Sequence, residues 1–342
     1  MTDKPDRSDL PRNWLITGGC GFLGTSLIRR LMTLGGCSIR VIDNLSVGSR
    51  EDLAGVCDFV EVSPDEMTGN GAQVELVVGD ILDAELAQRV AEGRDVIVHL
   101  AANTGVGPSV EDPRMDCETN VLGTFNYLEA ARNAAVSRFI FASSGAPAGE
   151  VEPPIHEELP PHPVSPYGAS KLAGEGYCSA YFRTYGVETV MLRFGNVYGP
   201  GSRKKSSVVA KFIRQALAGQ TCEIYGDGSQ TRDFIHIDDL IDAVIKAATV
   251  AGIGGEAFQI ASSRECTINE IATLISEKLA QLGNISMQVD LASPRLGDVK
   301  RNYSDTSKAQ QRLGWQPRIP LNDGVAQTVE YFLDRQLYAS AD

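Results

Sequence analysis

Tyr167 and Lys171 stand four residues apart in Pro166-Tyr167-Gly168-Ala169-Ser170-Lys171, a stretch that opens on proline and reads as the start of a helix. That step puts a phenol and an ammonium on one helix face, a turn apart. A cation within a few ångströms favours the phenolate, each pKa unit representing about 1.4 kcal/mol. The pair could then act as a general base toward a hydroxyl. Ser144, at the end of the apolar run 138–144, adds a hydroxyl that could bond the reacting C–OH and steer its proton toward Tyr167. Taken singly, the pair also reads as a surface pair and the serine as a turn residue.

The element that must face these groups lies near the start of the chain. Thr17-Gly18-Gly19-Cys20-Gly21-Phe22-Leu23-Gly24 sits between an apolar run, 14–16, and an amphipathic stretch, 27–32, giving strand, tight turn and helix. Gly18, Gly21 and Gly24 are expected to take positive φ, to approach a diphosphate closely and to pack helix on strand, with Phe22 and Leu23 inside the same turn. The helix N-terminus offers free N–H groups to an anion. The spacing departs from G-x-G-x-x-G, so the turn alone also reads as a loop. The β-branched run 38–43 follows and ends in Asp43, near the position expected of a carboxylate that binds the adenosine hydroxyls. A 2′-phosphate would be repelled there. NAD is therefore expected over NADP, with Arg50 nearby counting the other way.

With 342 residues, 43% of them hydrophobic and none in a long uninterrupted apolar run, the chain fits a full doubly wound sheet plus a smaller lobe. A net charge of −13 argues against nucleic acid and anionic membrane as partners, so an anionic ligand must be met by local cations. The polar first dozen residues lack a signal-peptide core, which predicts a flexible segment over 1–11 and a cytoplasmic protein. Seven scattered cysteines without C-x-x-C indicate neither a disulfide framework nor a metal site and read as reduced packing residues; Cys20 reads first as a small residue filling the glycine-rich turn, with modification by a thiol reagent as the alternative.

Continuous apolar runs at 74–78, 95–102, 138–144, 188–194 and 256–261, separated by helical segments such as 116–135 and 167–185, predict an α/β doubly wound parallel Rossmann sheet of about seven strands. The stretch 60–73 reads as a surface insertion. The proline-rich segment 145–166 is expected to be non-helical and to cross the cleft. The dinucleotide domain is expected to comprise 12–195 plus 236–262, and a smaller, discontinuous C-terminal substrate lobe 196–235 plus 263–335.

Taken together these stretches resemble the extended short-chain dehydrogenase/reductase family and, within it, the nucleotide-sugar 4-epimerases of the UDP-glucose type. The likeness spans about residues 12–335. Its motifs are T-G-G-C-G-F-L-G, V-I-D-N-L-S at 41–46, G-D-I-L-D at 79–83, H-L-A-A at 99–102, S-P-Y-G-A-S-K at 165–171 and L-R-F-G-N-V-Y-G-P at 192–200. Two further matches run over 224–239 and 294–309. The resemblance implies that Asp80 and Ile81 contact the adenine, Asn44 assists at the adenosine end, Leu100, Ala101 and Ala102 line the cofactor, and Lys171 holds the nicotinamide ribose. It places Asn196, Arg232 and Arg295 on the diphosphate of a UDP-sugar, Tyr225 near the base, Asp298 on the uridine ribose and Asn302 in the hexose pocket. It implies inversion at C4 through a transient 4-keto sugar with Ser144, Tyr167 and Lys171 as the catalytic set, and a homodimer built on the helices at 116–135 and 167–185.

The departures from the family are specific. Ala148 stands where a tyrosine is usual after the serine motif, and Gly145 and Ala146 stand where the related 4,6-dehydratases carry an Asp-Glu pair. Without that acid, loss of the 6-hydroxyl has no proton donor. UDP-glucose/UDP-galactose interconversion is expected, with the N-acetylated pair as further candidates. A UDP-glucuronate 4-epimerase or decarboxylase, or another nucleotide-sugar-modifying member of the family, is the alternative.

Overall fold

Apolar runs buried on both faces pair side by side into one parallel sheet. The computed structural model describes residues 10–67, 73–293 and 299–339. Its sheet strands are β1 (Asn13–Thr17), β2 (Ser38–Asp43), β3 (Val60–Glu61), β4 (Val74–Val78), β5 (Val96–His99), β6 (Arg138–Ser144), β7 (Thr189–Phe194) and a last strand, Glu256–Ile260. Across the sheet the order is Glu256–Ile260, β7, β6, β5, β1, β2, β4, β3. The chain thus winds outward from β1 in both directions, and a crevice opens at the carboxyl ends where β1 meets β5. The seven expected strands are all present. The eighth, β3, lies in the stretch read as an insertion: it is two exposed residues at the sheet edge, paired with β4, and carries no burial pattern to betray it.

Side chains alternate along β1, so that Trp14 and Ile16 enter one core with Leu27, Val41, Leu240 and Phe258, while Leu15 enters the opposite one with Ile42, Val77, Tyr127, Phe139 and Phe141. Trp315, late in the sequence, packs in the first of these cores. A third core, including Phe212, Ile224, Phe234, Ile271 and Val329, lies among the helices Val208–Leu217, Ile268–Gly283 and Leu321–Ala339 and the parallel pair Cys222–Tyr225 and Val289–Ala292.

Three local readings change. The segment 116–135 is a helix in pieces, Pro113–Cys117 and Gly123–Asn133, joined by a π-helical turn at Glu118–Leu122. The proline-rich segment contains one 3₁₀ turn, Ala146–Ala148, because proline is tolerated in a first turn where its missing N–H is not needed. Only Gly18 of the three turn glycines takes a positive φ, 67°. Gly21 is extended at the helix start and Gly24 is helical, its role being closeness. A Cβ at Gly24 would lie 2.5 Å from the Gly18 carbonyl oxygen, and one at Gly18 would lie 2.9 Å from the Ala101 nitrogen.

The Pro166–Tyr185 helix begins where expected, with the Ser165 hydroxyl accepting the Gly168 N–H at 3.1 Å, and ends at Gly186 in the left-handed region. Gly24→Ala must push backbone against backbone. It is expected to lose roughly 2 kcal/mol or more of stability, read as a fall of several degrees in Tm by calorimetry; an unchanged Tm would show that the turn can open without cost.

Candidate active site

The carboxyl ends of four adjacent strands build one half of the site. After β1, the α-helix Phe22–Leu34 starts at Gly21 without any side-chain cap, so its first-turn amides are left for an anion. After β2, the buried Asp43 carboxylate accepts the Cys20 N–H at 2.9 Å through one oxygen and the Leu45 N–H at 2.8 Å through the other. Each oxygen keeps a second lone pair for a sugar hydroxyl. Burial pushes this carboxyl up from its usual range, and the two amides oppose the shift. Asn44 donates to Asp80 Oδ2 at 2.9 Å, while Ile81 packs under the Gly123 helix. Arg50 is engaged in a two-pronged pair with Glu61, at 2.6 and 2.8 Å through Nε and Nη2, so a carboxylate already competes for it with any 2′-phosphate.

Leu100 and Ala101 direct their N–H groups to the Thr17 hydroxyl, at 3.1 and 3.0 Å. Because that oxygen accepts twice, its own proton goes to His99 Nδ1, 3.1 Å away. His99 is therefore protonated on Nε2, which donates to Thr124 Oγ1 at 3.2 Å; Thr124 in turn donates to the Asn120 carbonyl at 2.6 Å. Asn120, on the π-helical turn, lies with Nδ2 3.0 Å from Asn103 O, Asp116 Oδ1 and Ser170 Oγ, and Ser170 donates to the Tyr167 carbonyl. One buried polar chain thus links the glycine turn to the helix that carries Tyr167. Burial, with the Lys171 charge adding to it, pushes His99 down to about 3, so the ring is neutral.

The other half is set by β6 and the Pro166–Tyr185 helix. Ser144 stands at the end of β6, near enough to the Tyr167 phenol to work against the rise in its pKa, and accepts the Ala146 N–H at 3.2 Å. The buried Lys171 ammonium donates to Ala142 O at 3.0 Å and lies over the Phe141 and Tyr167 rings at 5.0 and 5.9 Å. Ser144, Tyr167 and Lys171 are therefore together. The expected fall in the tyrosine pKa is not produced by the protein's own groups: burial pushes Tyr167 up to about 12, the Ser144 bond works against that, and Asp116 adds to it. Lys171 is pushed down to about 8 by burial, opposed chiefly by Asp116. Asp116 is buried with Oδ2 unbonded among the described residues.

One turn beyond Lys171, Glu175 takes both prongs of Arg193 from β7, at 2.8 and 2.7 Å, and the Ser143 hydroxyl at 2.6 Å. This buried ion pair fixes the helix against β6 and β7.

Asn196, Tyr225 and Arg232 line one cavity of about 220 Å³ in the smaller part of the molecule. Arg232 also donates to Val299 O at 2.7 Å. Asn302 is held close by, its N–H on Thr231 Oγ1 at 3.2 Å, but does not line that cavity. Arg295 and Asp298 lie outside the described residues. Asp233, fully buried, accepts from Ser262, Ser263 and Ser304 and so ties together the segments that flank Arg232 and Asn302. Sequence reasoning passed over His99, Asn120, Asp116, Glu175 and Asp233 as individuals. Only Glu175, on the Tyr167–Lys171 face at the next four-residue step, carried a periodic signal.

Cys20 is buried and its thiol is pushed up to about 12, which fits a small residue filling the turn and not a thiol open to reagents. Among the described residues there is no cluster of metal ligands, and no helix is long and apolar enough to cross a membrane.

A family model described as the NAD dependent epimerase/dehydratase family matches residues 14–261. The chain is 37% identical to a UDP-glucose 4-epimerase of Mycolicibacterium smegmatis over 94% of its length and 98% of that protein's. It is 33% identical to a dTDP-glucose 4,6-dehydratase of Streptomyces niveus, covering 95% and 94%. A crystal structure of UDP-glucose 4-epimerase with UDP-glucose from Thermotoga maritima superposes with a TM-score of 0.84 at 33% identity, over 95% of this chain and 99% of that one.

A histidine held neutral binds its proton only on unfolding, so the stabilisation is complete above the ordinary value of 6.5 and is lost as the pH falls toward about 3. His99→Gln keeps an acceptor and a donor but does not titrate. Urea unfolding across that window is expected to show the wild type losing about 1.4 kcal/mol per pH unit more than the variant; parallel slopes would mean that His99 is already protonated in the fold.

Proposed function

The chain belongs to the NAD dependent epimerase/dehydratase family, and we propose that within it the protein is a nucleotide-sugar 4-epimerase acting first on UDP-glucose and UDP-galactose, with the N-acetylated pair as further candidate substrates. The family and its relatives make it an enzyme acting on nucleotide sugars. The observation that carries the finer reading is the meeting of Ser144, Tyr167 and Lys171 beside the glycine turn while Gly145 and Ala146 occupy the places of a dehydratase's acid pair.

The residues present fit NAD. The closeness at Gly18 and Gly24 leaves no room for a side chain between turn and strand, the first-turn amides are uncapped, Asp43 faces the adenosine hydroxyls, and Arg50 is neutralised by Glu61. NAD supplies the hydride acceptor and donor at C4 of the sugar. Tyr167 takes the 4-hydroxyl proton, with the Ser144 hydroxyl bridging the two oxygens. Because its pKa stands near 12 in the protein with the Lys171 ammonium already over the same ring at 5.9 Å, that transfer depends on further positive charge brought to the phenol. Arg232 holds the substrate's diphosphate in the cavity shared with Asn196 and Tyr225, leaving the 4-keto sugar free to turn and be reduced on its other face. In this reading 12–195 with 236–262 serves the dinucleotide, and 196–235 with 263–335 the nucleotide sugar.

A homodimer accompanies the reading. Leu122, Phe125, Tyr177 and Tyr185 are exposed on the helices Gly123–Asn133 and Pro166–Tyr185 and the turn before them, with Phe125 edge-on to Tyr177 at 5.6 Å. Such a face suits a second copy.

Tyr167→Phe is expected to lower kcat by two orders of magnitude or more, in the range of a lost general base, while leaving the NAD content of the purified protein unchanged. Near-normal turnover would remove Tyr167 from the base role. Side-by-side assays of UDP-glucose, UDP-N-acetylglucosamine and UDP-glucuronate test the substrate, and no 4-epimer from any of them would end the epimerase reading. The double substitution Phe125→Glu, Tyr177→Glu is expected to leave a monomer by sedimentation equilibrium; a dimer that persists would place the interface elsewhere.

A further inference from the structure

Between the glycine turn and the cavity holding Arg232 runs a strap, Gly199 to Lys205, that the reading above leaves without a role. It is tied down along its length. Ser202 is buried and donates to Gly199 O at 2.7 Å; Arg214 donates to Lys205 O at 2.7 Å; Lys204 pairs with Asp52 at 2.6 Å. Gly201 lies against the Phe22 ring, 3.3 Å from where its Cβ would stand. The strap therefore covers the start of the dinucleotide-binding helix, and the two residues after it, Ser206 and Ser207, already line the cavity.

Its last cation is treated differently from its neighbour. Lys204 has a carboxylate, whereas the Lys205 ammonium lies over the Phe22 ring at 5.5 Å and has no anionic partner among the described residues. Loss of water alone pushes its pKa down to about 8, with no carboxylate raising it. A partly buried ammonium left in this state is costly unless an anion completes it. It stands at the junction of the turn and the cavity, in a protein carrying a net charge of −13.

We propose that Lys205 is an anion-binding residue of the cleft, its ammonium meeting a phosphoryl oxygen of a bound nucleotide diphosphate. The proposal rests on the reading of the cleft as a nucleotide-sugar site. Two molecules bring that chemistry to the junction, the dinucleotide and the nucleotide sugar. The lysine adds to Arg232 a second, compact charge from a different segment, which a chain so rich in acid needs at a dianionic group.

Lys205→Met keeps the length of the stem and its packing on Phe22 while removing the charge, and Lys205→Arg keeps the charge. UDP and uridine are titrated calorimetrically against each purified holoenzyme, and NAD per chain is measured after exhaustive dialysis. Loss of one charge-assisted bond corresponds to roughly a tenfold weakening. A tenfold loss of UDP affinity in Lys205→Met, absent with uridine and largely restored in Lys205→Arg, supports the proposal and assigns the oxygen to the nucleotide sugar. A comparable loss of retained NAD with UDP binding intact supports it and assigns the oxygen to the cofactor. Unchanged binding of both by a folded Lys205→Met overturns it, as does an equal loss in Met and Arg variants, which would make the role one of packing. Wild-type protein that binds neither nucleotide would instead sink the proposed function.

Discussion

The geometry of the site depends on a buried carboxylate, Glu175, gripped by both prongs of Arg193 and by the Ser143 hydroxyl. An ion pair taken out of water is held together by its geometry, because removing one partner strands the other at a cost of about 3–5 kcal/mol. That pairing joins the Pro166–Tyr185 helix to two neighbouring strands at one rotation and one height. Tyr167 and Lys171 lie on the same helix face as Glu175, and Ser144 follows Ser143 directly in β6. The convergence of phenol, ammonium and hydroxyl is therefore a consequence of a contact that takes no part in the chemistry.

Parts of the site written into short stretches were legible in the sequence. The strand-turn-helix around Gly18, the strand end at Asp43 and the four-residue step from Tyr167 to Lys171 each declare themselves through local spacing, and the sheet follows from its apolar runs. What was not legible acts across long sequence distances. The neutral His99 links Thr17 to Thr124, and Asn120 reaches Ser170 only because a π-helical turn rotates it into place. No periodicity announces a single inserted turn. The same reason explains the tyrosine: the spacing gave its neighbour, Lys171, but not the burial that raises its pKa or the nearby Asp116 that raises it further.

Charge is distributed so that the cleft differs from the rest of the chain. The net balance is strongly acidic, yet Lys171 lies at the Tyr167 ring, Lys205 at the Phe22 ring and Arg232 in the cavity wall, three cations brought in by three separate segments. Asp233, in the one-residue link between the strands Thr231–Arg232 and Phe234–His236, accepts from the 262–263 and 304 backbones and so ties the arginine-bearing segment to the one that carries Asn302.

The smallest strand of the sheet has a role out of proportion to its size. β3 is two exposed residues on the rim, yet one of them, Glu61, occupies the guanidinium of Arg50. In the proposed reading, preference for the unphosphorylated coenzyme rests on two carboxylates, Asp43 at the end of β2 and Glu61, which occupies the nearby base. Drift toward the phosphorylated coenzyme would have to undo both, and the second sits on a segment with almost no packing to preserve it.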